Sequence, residues 1–142
     1  MFPMLKLLLK TMPSIFTKII NREIPAHIVW ENEKFIATMD IRPVNPGHML
    51  VIPKQEIGYI FDMNDSDYSD LMLTAKKLAG PLKMATNAKR VGLVVEGFGV
   101  DHVHIHLIPI NEANQLDPHR AKEVADEELA IMAEKIKSAL QK

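Results

Sequence analysis

The feature that most constrains this chain is the stretch His102–Pro109, in which three histidines alternate with aliphatic residues. Alternation with a period of two is typical of a half-buried β-strand, whose side chains at i, i+2 and i+4 lie on one face. The pattern therefore predicts a strand with one row of imidazoles on one face and aliphatic side chains in a core behind it. We expect Pro109 to end this strand, because proline cannot donate a ladder hydrogen bond. The row consists of His102, His104 and His106.

Four further segments have the short, apolar character of strands. The first two flank a turn-like sequence and predict a β-hairpin. The third begins with a histidine and ends at a proline, and the fourth is apolar on both faces, so we expect it to be fully buried. These segments are Ile28–Trp30, Phe35–Met39, His48–Pro53 and Val91–Val95.

Apolar residues at helical spacing predict three helices. A short first helix follows Ser14, whose side chain is suited to an N-cap. The second spans residues 66–88, and we expect Gly80–Pro81 to kink or break it because proline removes a hydrogen bond and clashes with the preceding turn. The third is a C-terminal helix over residues 121–141.

The order of these elements indicates the α+β class, because the strands lack an alternating βαβ rhythm. We predict a mainly antiparallel five-stranded sheet with helices on one face. The length of 142 residues suits a single domain over residues 13–142, preceded by an N-terminal extension over residues 1–12. The apolar run of that extension is too short to cross a bilayer, so no membrane association is expected.

Composition narrows the classes of function that this chain can have. With 47% hydrophobic residues, 25% charged residues and a formal net charge of −1, the chain is typical of a soluble globular protein. The near-neutral charge disfavours binding to a nucleic-acid backbone. Cysteine is absent, which excludes disulfides and thiolate metal sites but is compatible with any compartment.

A row of imidazoles suits chemistry at phosphorus. With a pKa of about 6.5, a neutral histidine can attack a phosphorus centre if an acceptor holds its second nitrogen, while a neighbouring histidine protonates the leaving group. A zinc site is an alternative, with His48 as an outside ligand to two histidines of the row. Cupin-like metal sites expect a glutamate soon after such a motif, whereas the first acid here is Glu112. A purely structural role is disfavoured, because each buried imidazole would need polar partners.

The alternating motif resembles that of the histidine triad (HIT) superfamily of nucleotide hydrolases and transferases. Three other segments are similar to that family in the same order, so that the resemblance covers roughly residues 13–110. They are Ser14–Pro25 with the family's N-terminal helix, Met39–Pro43 with an Asp-containing segment, and Pro46–Lys54 with a second histidine-bearing strand.

The resemblance implies a role for each matching residue. His104 corresponds to the nucleophile that takes up a nucleoside monophosphate, His102 and His106 to its flanking partners, and His48 to a supporting fourth histidine. Asp40 corresponds to the acid that holds the ribose hydroxyls. The apolar walls around the base correspond to Ile15, Phe16, Ile19 and Ile41.

The implied activity is cleavage of a purine nucleoside phosphoramidate, or a related AMP conjugate, through a covalent nucleotidyl-histidine intermediate and without a cofactor. The implied assembly is a homodimer in which two sheets become continuous. Two alternatives remain: hydrolysis of dinucleoside polyphosphates, or a nucleotide-binding or scaffolding role with little activity. A cytoplasmic location is expected, or a mitochondrial one if residues 1–11 act as a presequence.

The chain departs from the family pattern just before the row. Many members have asparagine or glutamine where Val95 stands, and a longer polar stretch where this chain has Gly97–Asp101. Recognition of the leaving group is therefore expected to differ. Because metal-binding members carry cysteines near the first helix and this chain has none, we predict no zinc.

Overall fold

The computed structural model describes residues 13–142 and contains one five-stranded sheet. The strand order is β1-β2-β3-β5-β4, and every neighbouring pair is antiparallel. This architecture confirms the predicted α+β class and the predicted hairpin. The extension at residues 1–12 lies outside the described residues. The strands are β1 Ile28–Glu31, β2 Phe35–Met39, β3 Met49–Pro53, β4 Arg90–Val94 and β5 Ile105–Ile110.

Within residues 13–142, the sheet is accompanied by three α-helices: α1 Ile15–Ile20, α2 Asp65–Thr86 and α3 Asp126–Leu140. The Ser14 side chain caps α1 by accepting a hydrogen bond from the Thr17 amide, as predicted. The expected break in α2 is wrong, since its 22 residues run through Pro81. One clash that disfavours proline in a helix is absent here, because the preceding residue, Gly80, has no Cβ to meet the Pro81 ring. The C-terminal helix begins five residues later than predicted, at Asp126.

The two faces of the sheet carry different helices. On one face, α2 and α3 pack over side chains such as Ala37, Val51 and Ile105. On the other face, α1 packs over Ile36, Leu50 and Ile52. The expectation of helices on one face only is therefore wrong for α1. The face that carries α1 is the functional one, because strand alternation places His106 on it.

β4 is an edge strand and not the fully buried strand that its apolar sequence predicts. Within residues 13–142 it pairs with β5 alone, and its residue Leu93 is 43% exposed. A continuous apolar run cannot distinguish a central strand from an edge strand, because the number of neighbours is a tertiary property.

The predicted histidine strand starts later and ends later than expected. β5 begins at Ile105, so His102 and His104 lie in the irregular segment before it. The backbone of that segment bonds outside the ladder, with the Val103 amide donating to the carbonyl of Ile57. Pro109 lies inside β5, beyond the part that pairs with β3, where a residue without an N–H is tolerated.

Candidate active site

The structure brings the four predicted histidines together in one row, with the aromatic ring of Phe16 on α1 against two of them. The ring centroids of Phe16 and His104 lie 4.8 Å apart, and those of His104 and His106 lie 4.9 Å apart. His48 extends the row at 5.1 Å from His106, while His102 lies 5.8 Å from Phe16. The row therefore forms although two of its members are outside the strand.

His104 has one ring nitrogen fixed and the other available. Its Nδ1 lies 2.7 Å from the carbonyl oxygen of His102. A carbonyl oxygen only accepts, so Nδ1 carries a proton and donates it. In the neutral ring Nε2 then bears the lone pair, which is the state that a nucleophilic imidazole requires. The side chain is buried, which limits competition from water for that lone pair.

A backbone amide determines which ring nitrogens of His48 and His106 carry protons. The Val44 amide donates to His48 Nδ1 at 3.0 Å, so the neutral His48 ring carries its proton on Nε2. That nitrogen lies 2.8 Å from Nδ1 of His106 and donates to it. The neutral His106 ring must then carry its proton on Nε2, which makes it a proton donor for a leaving group.

Burial favours the neutral form of His48, His102 and His106. Desolvation lowers the pKa of His48 to about 4, and the nearby Asp40 carboxylate opposes this shift only in part. Desolvation is also the main cause of the lowered pKa values of His102 and His106. For His106, the neighbouring His104 lowers the pKa further.

His102 is completely buried and is held on both ring nitrogens. Its Nε2 lies 2.7 Å from the carbonyl oxygen of Pro53, at the end of β3. Its Nδ1 lies 2.6 Å from the hydroxyl of Ser14 at the start of α1. The carboxylate of Glu56 lies 3.9 Å from the same Nδ1.

The residues predicted to contact a nucleotide lie in two places, after β2 and on α1. Asp40 follows β2, with one carboxylate oxygen 3.5 Å from His48 Nε2 and the other accepting from the Arg42 amide. Ile19 is buried beside Phe16 on α1. Ile15 and Ile41 are 49% and 68% exposed, so their side chains lie on the outer surface of the region.

A metal ion is the main alternative use for these residues. The ligand atoms of Asp40, His48 and His106 lie within 4.8 Å of one another, so the spacing alone would suit a divalent cation. The hydrogen bond from the Val44 amide to His48 is incompatible with a metal ion at this position. A metal on His48 Nε2 would require the proton on Nδ1, where the Val44 amide already donates. The tautomer that the backbone imposes is therefore the wrong one for a metal ligand.

Three functional candidates escaped the sequence analysis. Glu56, the Val44 amide and the Pro53 carbonyl each contact a histidine or its partner, yet none belongs to a recognisable motif. Ser14 was identified only as a helix cap, a role that the structure confirms, and its contact with His102 across 88 residues has no local signal. His27 and His119 lie outside the row, and each pairs with an aspartate.

A mostly apolar cavity near these elements has no histidine in its lining. It has a volume of about 610 Å³ and lies between α3 and the loop of residues 43–47. Its lining comes from α3, from that loop and from residues 120–124, with Met39 at the end of β2. Within residues 13–142, no helix combines the length and the apolar character needed to cross a membrane.

Fold and site together define a histidine triad domain, and comparison with known proteins agrees. The family model described as the HIT domain matches residues 21–113. This chain belongs to the HIT family.

Individual relatives show the same likeness over most of their length. An uncharacterised HIT-like protein of Methanocaldococcus jannaschii is 39% identical over 108 residues, which cover 70% of this chain and 81% of the relative. The adenosine 5′-monophosphoramidase of Candida albicans is 35% identical, covering 90% of this chain and 91% of the relative. A HIT-like protein of Bartonella henselae superposes with a TM-score of 0.78 at 32% identity, over 89% of this chain and 95% of that structure.

Proposed function

We propose that this protein is a nucleotide hydrolase that cleaves a purine nucleoside phosphoramidate, or a related AMP conjugate, through a covalent intermediate on His104. Membership of the HIT family supports nucleotide hydrolase activity in general. The similarity to an adenosine 5′-monophosphoramidase supports the phosphorus–nitrogen bond as the one that is cleaved. The single observation that carries the proposal is the hydrogen bond from His104 Nδ1 to the His102 carbonyl, because it leaves Nε2 as a buried nucleophile.

In the first step, the lone pair of His104 Nε2 forms a bond to phosphorus and the bond from phosphorus to the leaving nitrogen breaks. The leaving nitrogen takes the Nε2 proton of the neutral His106 ring, and the negative charge left on that ring is stabilised by the N–H of His48 until the second step returns the proton. In the second step, water attacks phosphorus and gives a proton to His106 while the bond to His104 breaks. AMP is released and both rings return to their starting state.

Replacement of His104 by alanine tests this mechanism. We expect His104→Ala to lose turnover of adenosine 5′-monophosphoramidate while AMP binding remains measurable, because the nucleophile is removed and the other contacts stay. His119→Ala is the matched control, since that histidine is exposed and distant from the row. Rapid quenching of the wild type with labelled substrate should trap one nucleotide per chain on His104. Full activity of His104→Ala would contradict the proposal.

Hydrolysis of dinucleoside polyphosphates is the second candidate. It needs the same nucleophile but a phosphate leaving group, which requires polar contacts in the segment before the row. Val95, with its apolar side chain, offers no such contact, and this favours the amine as leaving group. A panel of adenosine substrates with amine and phosphate leaving groups separates the two. A purely scaffolding role predicts no labelled His104 with any of them.

We also propose that the protein forms a homodimer through β4. The exposed edge of this strand can pair with the same strand of a second copy and make the two sheets continuous, which removes an unpaired edge. Leu93→Lys should then shift the protein from dimer to monomer in light scattering after gel filtration. Leu73→Lys is the control, because Leu73 is exposed on α2. A monomeric wild type would contradict this assembly.

A further inference from the structure

The segment that follows β3 contacts His102 from two directions. The carbonyl of Pro53 accepts from His102 Nε2 at 2.7 Å. Three residues later, the carboxylate of Glu56 accepts from the amide of Ser14 and from the hydroxyl of Thr17, the latter at 2.8 Å. Ser14 in turn contacts His102 Nδ1 through its hydroxyl. We call Ser14, Thr17, Pro53 and Glu56 the His102 clamp.

The clamp determines where each proton lies. Because the Pro53 carbonyl only accepts, His102 carries a proton on Nε2, and the Nδ1 of the neutral ring must accept one. The Ser14 hydroxyl supplies it and at the same time accepts from the Thr17 amide at 3.1 Å. The Thr17 hydroxyl lies 3.3 Å from the Ser14 hydroxyl and gives its own proton to Glu56. The Ser14 proton is directed to His102 because the Nδ1 lone pair lies 2.6 Å away, closer than the Thr17 hydroxyl oxygen.

The clamp is connected to His104 through the backbone of His102 and through the ring of Phe16. The backbone carbonyl of His102 accepts from His104 Nδ1, so a rotation of the His102 segment would move the group that orients His104. Phe16 lies between Ser14 and Thr17 in the sequence, and its ring contacts both histidines. Glu56 therefore fixes the beginning of α1, and with it two sides of the histidine row, without touching His104.

We propose that Glu56 is a positioning residue for the nucleophile, acting through Ser14 and Thr17 on His102 and through the His102 carbonyl on His104. The lowered pKa of Glu56, caused mainly by the hydrogen bond from the Ser14 amide, keeps the carboxylate ionised at neutral pH and is consistent with this role. The effect on turnover rests on the proposed function, whereas the effect on the two rings does not.

The experiment compares three variants with two controls. Glu56→Ala removes the acceptor, Glu56→Gln retains an acceptor oxygen, and Ser14→Ala removes the hydroxyl that donates to His102. Glu33→Ala is the control for loss of an exposed glutamate from the turn between β1 and β2. Asn64→Ala is the control for loss of a helix cap, since Asn64 caps α2 far along the chain from the row.

We expect Glu56→Ala and Ser14→Ala each to lower kcat by roughly tenfold, the size that follows from one or two lost hydrogen bonds around a buried group. Glu56→Gln should remain within about threefold of the wild type, because its amide oxygen can accept from both donors. The two controls should leave kcat unchanged, even where Asn64→Ala lowers the melting temperature. Circular dichroism establishes that each variant is folded before its rate is interpreted.

Nitrogen-15 NMR of the histidine rings provides a readout that does not need a substrate. In the wild type, His102 and His104 should show opposite tautomers, with protons on Nε2 and Nδ1 respectively. Glu56→Ala and Ser14→Ala should shift or broaden these ring signals, and the controls should not. If the wild type turns over no nucleotide but the ring signals respond as stated, the proposed function is contradicted. The inference that Glu56 orients the two rings is still supported. Ring signals and kcat that are as unchanged in Glu56→Ala as in Glu33→Ala would overturn the inference.

Discussion

His48 Nε2 lies 2.8 Å from His106 Nδ1, and the direction of this hydrogen bond is fixed by a backbone amide behind it. The Val44 N–H occupies the other nitrogen of His48, so the proton between the two rings belongs to His48. One amide of the loop between β2 and β3 thus determines the proton on the far nitrogen of His106. The same amide makes His48 a poor metal ligand, because it holds the ring in the opposite tautomer.

The free energy of unfolding should fall as the pH is lowered from 6.5 towards 4, a range in which His48 contributes to the change. His48 has a pKa of about 6.5 when unfolded and about 4 when folded, so the unfolded state binds the proton first. The stabilising effect of the neutral ring is complete above pH 6.5 and is lost as the pH falls towards 4. Integrated over this window, His48 alone accounts for up to about 3 kcal/mol. The lowered pKa values of His102 and His106 act in the same direction.

Urea unfolding at a series of pH values between 7 and 4 measures this effect. His48→Asn should give a flatter dependence of the unfolding free energy on pH than the wild type. His119→Gln, at an exposed histidine, should retain the wild-type slope. A wild-type unfolding free energy that is constant across this range would contradict the neutral, buried state of His48.

Asp40→Asn should weaken AMP binding. The asparagine oxygen can still accept from the Arg42 amide, but the charged carboxylate proposed to hold the ribose hydroxyls is lost. Hydrogen bonds to a charged group are worth roughly 1.5–3 kcal/mol, so we expect a loss of affinity of about tenfold or more. Isothermal titration calorimetry with AMP gives the dissociation constant. Asp62→Asn, at an exposed site in a short 3₁₀ turn, is the control. Equal affinities in all three proteins would exclude the ribose role.

Gly47→Ala should destabilise the fold next to the site. Gly47 has φ +91°, and a Cβ there would lie 2.5 Å from Thr86 Cγ2 and 3.1 Å from Pro109 Cγ. Backbone strain alone costs roughly 1–2 kcal/mol, and the steric clash adds to it. Gly99→Ala, where no atom lies within 4 Å of the new Cβ, should stay within about 0.5 kcal/mol of the wild type. Thermal unfolding compares the two, and similar melting temperatures would contradict the tight approach at Gly47.

Leu78→Ala should be among the most destabilising changes in α2. Its side chain is completely buried against the sheet, so truncation leaves a cavity that costs about 2–5 kcal/mol. Leu73→Ala on the same helix is the control, because Leu73 is 62% exposed and should change stability by less than about 0.5 kcal/mol. Urea midpoints measure both. Equal midpoints would mean that α2 does not pack as described.

The sequence by itself determined most of the secondary structure and identified the histidines that the fold brings together. Apolar periodicity placed the hairpin of β1 and β2 and the three helices, because a helical or strand period is a property of neighbouring residues. Alternation correctly put His106 on the face opposite Ile105. It could not show that β5 starts only there, since the ladder needs a partner strand and β3 pairs only as far as Val51.

The tertiary structure decided the chemistry of those groups. For His102, the nitrogen that carries the proton depends on Pro53 and Ser14, 49 and 88 residues away, and for His106 it depends on His48, 58 residues away. It also decided that β4 lies at an edge and that Glu56 reaches α1. The physical reason is the same in each case. Burial, strand neighbours and the direction of these hydrogen bonds are set when distant segments come into contact. A local pattern of residue types therefore cannot predict them.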